Sequence, residues 1–594
     1  MYAPLNINSQ QAARKLKVYE FDENNPNDLK RRAVNQSRPM KVIVLGTGMS
    51  GIIAGIFFPR EIENLDLVIY DKNTDLGGTW FESRYPGIAC DVPAHAYQFT
   101  FESNTQWSSF WPKGPEINAY LKSVATKYDA IRYMKFGKKC DQAVWNETTG
   151  QWSVYMTDLE TGMVFVDTCD VLISATGALN KWNWPDIAGL HSFKGKLVHS
   201  ASWDTTIDVT GKRVALVGGG SSGIQILPQI QPKASEVLHF MRGKTWIPPV
   251  SFGAQSLRLQ GNNAQTPDDL LEKFKNDPKS YIEFRRKIES DLHSASEVIY
   301  KDTEMARTFQ KMCEEHMRSK LAKKPEILDA LLPDYPVACR RLTPGPGYLE
   351  ALVQDNVKFI PEGLEVYEDG VITKDGTRHE VDIIITATGY AGYGQPFPLY
   401  GQGGTNLQAL WDNDVPEAYM SLAPQKMPNY FCFLGPNGGP GLGSTVPFLE
   451  AQGKYMIQCI KKLQREWLKS IVIKYDAVKA FGAYVDRFLE PTVYNGNCRV
   501  WWRHKGNGRL LAMWPGSALH GMYAWANPRW EDFDYELKEE QGGNRFNWLG
   551  NGYVTAQLVG DVAGMTFYLD DDKSFVPVQN PLLAGKSPAP EIAS

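Results

Sequence analysis

Two glycine-rich runs, each directly behind an apolar strand, constrain this chain more than any other feature. Residues 40–56 read MKVIVLGTGMSGIIAGI. The run VIVL leads into Gly46-x-Gly48-x-x-Gly51 and then into small and apolar residues, the order of strand, tight turn and helix. The first glycine makes the turn, the second lets backbone approach a pyrophosphate, and the third lets helix pack on strand. The helix N-terminus then faces the anion. One strand later, LVIYDK places Asp71 where a carboxylate binds ribose hydroxyls.

Residues 212–226, KRVALVGGGSSGIQI, repeat the arrangement with Gly218-x-Gly220-x-x-Gly223. Ser221, Ser222 and Gln225 share that turn and helix and are further candidate contacts. No acid ends the following strand. The sequence there is VLHFMRGKTWIPP, with Arg242 and Lys244. A carboxylate repels a 2′-phosphate, whereas a guanidinium grips it with two parallel hydrogen bonds. The first site is therefore predicted to take a dinucleotide without 2′-phosphate, and the second NADP(H). Two further apolar strands end in Ala175-Thr176-Gly177 and Ala387-Thr388-Gly389, and read as crossings between the two nucleotide-binding units. The predicted class is α/β, with two Rossmann-like dinucleotide-binding domains.

The bulk properties narrow the partners. A net charge of -4 over 594 residues gives no reason to expect nucleic acid or an anionic membrane. No apolar run reaches about 18 residues, and the N-terminus has no apolar leader core. A soluble, cytoplasmic protein in a reducing compartment is expected. The eight cysteines form no C-x-x-C pair, so neither a zinc site nor a redox dithiol is expected, and no metal. The 17 Trp, 27 Tyr and 26 Phe suit large apolar interiors and planar ligands.

Residues 193–204, FKGKLVHSASWD, follow neither helical nor strand periodicity and read as a connector with fixed anchor points. Phe193, Gly195, His199, Trp203 and Asp204 fill F-x-G-x-x-x-H-x-x-x-W followed by Pro or Asp, the short signature of type I Baeyer–Villiger monooxygenases. The run GGTWFESRYPGIACD fills that family's longer signature through Gly77, Gly78, Trp80, Tyr85, Pro86, Gly87 and Asp91. With both fingerprints in order, the chain resembles this family over roughly residues 40 to 535. CDVPAHAYQFTFES and CRRLTPGPGYLEAL are most similar to fungal members that oxidise polycyclic, polyketide or terpenoid ketones.

The resemblance implies FAD at the first site and NADPH at the second. It implies insertion of one oxygen atom from O₂ beside a ketone carbonyl, through a C4a-peroxyflavin, giving an ester or lactone. No obligatory protein partner is visible. By the family pattern Arg341 is the active-site cation, Asp91 its carboxylate partner, and Arg340 a contact to the NADP 2′-phosphate. Many members carry lysine at that last position. Thr79, Trp80, Asp91, Val92 and Tyr97 are implied flavin contacts. Trp501 matches a C-x-x-W pattern on a loop that folds over nicotinamide, and the adjacent Trp502 fits the same role. His199 and Trp203 are implied to couple movement of the NADP domain to the active centre; a buried histidine satisfied by backbone fits His199 equally.

The implied layout is an FAD-binding part at 1–180, a linker at 181–204 and an NADP-binding domain at 205–380. A helical insertion is expected at about 265–330, its charges forming a solvated face. The second FAD-binding part, with the tail, spans 381–594. N- or S-oxygenation by a related flavin monooxygenase is the alternative reaction. A non-catalytic flavoprotein and an NADPH reductase with a protein partner are more distant ones.

Overall fold

The computed structural model describes residues 32–249, 265–538 and 544–569. Residues 1–31, where an N-terminal arm is expected from the sequence, and the C-terminal tail from 570 lie outside them. The chain separates into two compact units. The smaller draws on Met1–Arg38, Lys462–Leu468 and Leu537–Ser594. In it Arg38 donates to the Leu468 carbonyl at 3.0 Å, and the Arg32 guanidinium lies 3.7 Å over the Trp467 ring. The larger unit, Pro39–Lys461 with Lys469–Glu536, contains both glycine-rich motifs.

Ten of its strands build two sheets: β1 (Met40–Leu45), β2 (Leu65–Tyr70), β3 (Met134–Lys135), β4 (Val171–Ser174), β5 (Lys196–His199), β6 (Arg213–Val217), β7 (Glu236–Phe240), β8 (Val357–Ile360), β9 (Ile383–Thr386) and β10 (Tyr430–Cys432). The first sheet runs β10-β4-β1-β2-β3 and the second β8-β7-β6-β9-β5, every pair parallel. Parallel sheets are covered on both faces, which explains apolar runs without alternation. Val42, Ile43 and Val44 of β1 and Val214 and Leu216 of β6 are all 0% exposed. Each such side chain contributes about 1.5–3 kcal/mol by leaving water.

Each fingerprint joins a central strand to a helix, β1 to α1 (Met49–Glu61) and β6 to α2 (Ser221–Ile230). Gly46 and Gly218 have φ of +115° and +119°. A Cβ on them would lie 2.4 Å from the Ala175 carbonyl oxygen and 2.3 Å from that of Ala387. Both Ala-Thr-Gly runs therefore press against the first glycine of a fingerprint. A Cβ on Gly51 or Gly223 would lie 2.0 Å from the carbonyl oxygen of Gly46 or Gly218, so no side chain fits there.

Two expectations need correction. The connector at 193–204 contains β5, an edge strand on β9. Four residues are too few for a strand period to emerge from sequence. The insertion does form helices, α3 (Asp268–Asn276), α4 (Pro278–Ser294) and α5 (Glu304–Lys320), but its charges are not all solvated. Arg285 on α4 is 8% exposed and donates to the Phe99 carbonyl at 3.2 Å and Ser103 Oγ at 3.0 Å. The carbonyls of Gln98 and Phe99 and the Ser103 hydroxyl thus replace water around this guanidinium.

The short signature occupies the end of β5 and the turn after it. A Cβ on Gly195 would lie 2.5 Å from the Phe193 ring and 2.7 Å from the Asp382 carbonyl oxygen. His199 is 1% exposed and stacks on Trp182 at 4.4 Å. Its Nδ1 accepts from Ala201 N at 3.1 Å, and its Nε2 lies 3.2 Å from Thr388 Oγ1. Trp203 packs against the core under β6 and α2. Asp204 accepts from Thr206 N at 2.9 Å and pairs with Lys196 at 2.6 Å, and these hydrogen bonds hold its carboxyl well below the usual range.

Two measurements test these contacts. Gly51→Ala should destabilise by about 1–3 kcal/mol through overpacking and lower the bound flavin content. Wild-type thermal stability and flavin loading would show that the turn relaxes freely. Burial lowers His199 to about 4 from 6.5. The neutral ring therefore contributes its full stability above pH 6.5 and loses it progressively as pH falls through about 4. Denaturant unfolding should show wild type losing about 1–3 kcal/mol more than His199→Gln between pH 7 and pH 4. Equal losses would mean that this ring does not resist protonation.

Candidate active site

A cavity of about 780 Å³ is lined both by the turn after β1 and by the start of α2. That volume lies within the usual range for ligand sites, about 300–1,000 Å³. Gly46, Gly48, Asp71, Thr79, Trp80 and Tyr97 face it from the first fingerprint's side. Asp71, directly after β2, is 7% exposed. Its Oδ2 accepts from Thr47 N and Oγ1, both at 2.7 Å, and its Oδ1 accepts from Asn73 N at 2.8 Å. A carboxylate offers about four acceptor positions, so the acid is fixed in place with capacity left for a ligand hydroxyl.

Thr79 and Trp80 lie on the short helix Thr79–Glu82. Trp80 Nε1 donates to Tyr97 Oη at 3.3 Å, with the rings edge-on at 5.7 Å. Gly51 and Val92 are the exceptions on this side. Gly51 packs on the Gly46 carbonyl, Val92 is buried at 6% exposure, and neither lines the cavity.

Arg341 and Asp91 are 250 residues apart in sequence and form a bidentate pair. Nε and Nη2 of the guanidinium donate to the two carboxylate oxygens at 2.5 and 2.7 Å. The Arg341 side chain is 43% exposed, and the cavity it lines receives that surface; Asp91 is 15% exposed. Asp91 raises the pKa of the arginine further above its ordinary value, so the cation is permanent. Its Nη1 makes no hydrogen bond among the described residues and remains available to an anion. Burial raises the Cys90 thiol and the Tyr97 phenol, leaving both neutral.

The second fingerprint meets the longer signature directly. Tyr85 Oη donates to Gln225 Oε1 at 2.9 Å, and Gln225 Nε2 donates to the Ala89 carbonyl at 2.9 Å. A Cβ on Gly87 would lie 2.4 Å from the Gln225 carbonyl oxygen. Gln225 thus clasps residues 85–89 to α2, a task that its place behind the glycines did not reveal. Ser221 Oγ lies 2.7 Å from Thr343 Oγ1, while Ser222 sits beside it in the first turn of α2. The cap residue Gly220 has open space where its Cβ would stand, which leaves room for a phosphate.

Arg242 is exposed just past β7, and Arg340 Nη1 donates to the Lys244 carbonyl at 2.8 Å. Arg242, Lys244 and Arg340 are thereby gathered with no carboxylate paired to them among the described residues. The adjacent arginines diverge: Arg340 goes to this cluster and Arg341 to the cavity.

Trp501 and Trp502 both line the cavity, their rings edge-on at 5.3 Å. Trp501 is 38% exposed and stacks on Tyr393 at 5.7 Å; Trp502 is buried, and its Nε1 has no hydrogen-bond partner among the described residues. Tyr393 carried no signal in the sequence. Cys339 and Cys498 form a disulfide across 159 residues, a pairing that C-x-x-C spacing could not disclose. It modifies the expectation of reduced cysteines. Among the described residues there is no metal-holding cluster, and no helix is long and apolar enough to cross a membrane.

Two glycine cradles that exclude side chains, a fixed buried acid at one and unpaired cations beside the other fit FAD and NADP respectively. Residues 39–253 match the model of the flavin-binding monooxygenase-like family. The chain is 35% identical over 540 residues to the FAD-binding monooxygenase tazF of Aspergillus terreus, covering 90% of this chain and 95% of that one. It is 32% identical over 485 residues to a Baeyer-Villiger monooxygenase of Pseudomonas aeruginosa, covering 81% and 88%. Its fold is similar to cyclohexanone monooxygenase from Rhodococcus sp. Phi1 bound to NADP⁺, with a TM-score of 0.71, 23% identity, and 84% and 100% coverage. The chain belongs to the FAD- and NADPH-dependent flavin monooxygenases of the Baeyer–Villiger type.

Proposed function

We propose that this enzyme inserts one oxygen atom beside the carbonyl of a bulky, polycyclic natural-product ketone, with Arg341 as the catalytic cation. The observation that carries this reading is the Asp91–Arg341 pair in a cavity shared by both fingerprints. Bound FAD supplies two-electron activation of O₂, with NADPH as the hydride source.

The protein's own part is electrostatic. Attack on a carbonyl places negative charge on oxygen, and a preorganised cation in a water-poor site stabilises it. Asp91 spends two of the arginine N–H groups on orientation and leaves Nη1 for that charge. Leu434, Pro440, Leu449, Trp502 and Met513 add an apolar wall to the same cavity, which favours a large apolar substrate. Gly46, Gly48, Gly51 and Asp71 hold FAD, and Thr79, Trp80 and Tyr97 bound its site. The open start of α2 receives the NADP pyrophosphate, and Arg242 and Arg340 receive its 2′-phosphate. Trp501 with Trp502 excludes water. In domain terms β1–β4 and β10 form the FAD-binding part and β5–β9 the NADP-binding part, with the signature at their junction.

Purified enzyme should convert a polycyclic ketone to its ester or lactone. Arg341→Ala should lower that rate by about 100-fold or more, while NADPH oxidation continues and ends in H₂O₂. Ester formation at the wild-type rate would remove Arg341 from the chemistry. Oxygenation of amines or sulfides without any ketone conversion would favour the alternative reaction. Arg242→Ala should lose about 1.5–3 kcal/mol of charge-assisted bonding, raising KM for NADPH roughly ten- to a hundredfold and leaving KM for NADH unchanged. Equal changes for both coenzymes would place the 2′-phosphate elsewhere.

A further inference from the structure

The geometry points to the Cys339–Cys498 disulfide as a thiol-exchange site through which a small anionic thiol loosens the wall of the cavity. The two α-carbons are 6.2 Å apart, within the usual span of about 4.4–6.8 Å. The bond joins the two segments that carry the cavity's cation and its paired tryptophans. Cys339 directly precedes Arg340-Arg341, and Cys498 opens the run to Trp501-Trp502. Polar ties between these segments are lacking among the described residues. Arg341 is bonded to Asp91 and Arg340 to Lys244. Arg503 bonds the carbonyls of Gly508, Tyr494 and Gly496, all in its own loop. Apart from apolar packing of Val337, Ala338 and Cys339 in one core with Cys498 and Trp502, the covalent link is what ties the tryptophan loop to the arginine segment.

The two sulfurs are not equivalent. Cys339 is 0% exposed. Cys498, 4% exposed, lines a surface hollow of about 450 Å³ that Arg499 and Arg503 also line. An incoming thiolate reaches the Cys498 sulfur first, and two cations draw an anionic one toward it. The thiolate bonds to Cys498 Sγ, the S–S bond breaks, and its electron pair leaves on Cys339, which takes up a proton. A second thiolate then attacks the mixed disulfide, freeing the Cys498 thiolate and releasing the small disulfide. Two thiols are oxidised and one protein disulfide is reduced. The freed loop admits water to the cavity, so oxygen activation is spent on H₂O₂. This last consequence rests on the proposed reaction; the exchange itself does not.

The full-length holoenzyme tests both parts. In denaturant the untreated protein should show six titratable thiols of its eight cysteines, and all eight after reduction. Glutathione should open the bond about threefold or more faster than cysteamine at equal thiolate concentration, and Arg499→Gln should reduce that preference. After removal of thiol, trypsin should cut beyond Arg499, Arg503 or Lys505 roughly fivefold or more faster. H₂O₂ released per NADPH, with ketone present, should rise about threefold. Reoxidation should restore both values, and the Cys339→Ala/Cys498→Ala variant should match the opened enzyme. Reversible opening of the wild-type protein keeps the test valid should that variant fold poorly. Eight thiols at the outset, or opened protein with unchanged cleavage, would overturn the proposal. Faster cleavage and an intact exchange pattern in a protein that makes no ester would instead overturn the ketone reaction alone.

Discussion

Gly46 and Gly218 approach the carbonyls of Ala175 and Ala387 so closely that a Cβ would lie 2.4 and 2.3 Å from their oxygens. In each sheet a glycine at positive φ turns the chain at the end of a central strand, against the carbonyl that ends the neighbouring strand. The contact leaves no space for a side chain. It also fixes where the following helix starts, and hence where its unpaired N–H groups point. Both helix starts depend on this constraint, and the cavity is lined from both.

The junction of the two sheets depends on a second set of contacts. Tyr85, Gly87 and Ala89 lie on α2 through Gln225, while His199 at the end of β5 reaches Thr388 after β9. The short signature is thus built into packing around the nucleotide folds, whereas Gly77, Gly78, Trp80, Tyr85 and Asp91 of the longer one line the cavity. Asp91, its last position, provides the acid that orients Arg341. Folding and chemistry share one segment here, with Tyr85 and Gly87 docked on α2 and Asp91, a few residues on, facing the cavity.

Ionic character is distributed unevenly. The cavity holds one bidentate pair whose guanidinium keeps free donors, beside a thiol and a phenol that burial keeps neutral. Outside it, Arg242 and Arg340 have no carboxylate paired to them among the described residues. In a chain of net charge -4, these are cations held apart from neutralisation, as an anionic ligand requires.

The sequence by itself determined the two strand–turn–helix units, the acid behind one and the cations behind the other. Those features are local: a fingerprint spans a few residues, and steric exclusion at Gly51 or Gly223 comes from the first glycine of the same turn. The family resemblance added Asp91 and Arg341 as partners. The tertiary structure alone decided what depends on distant segments meeting. It placed Val92 behind the cavity instead of on its wall, turned Gln225 into a clasp and made a strand of residues 196–199. It also buried Arg285 against carbonyls of another segment, stacked Tyr393 on Trp501 and joined Cys339 to Cys498. Each of these joins residues brought together by folding, and no periodicity in one segment encodes the groups that another segment presents to it.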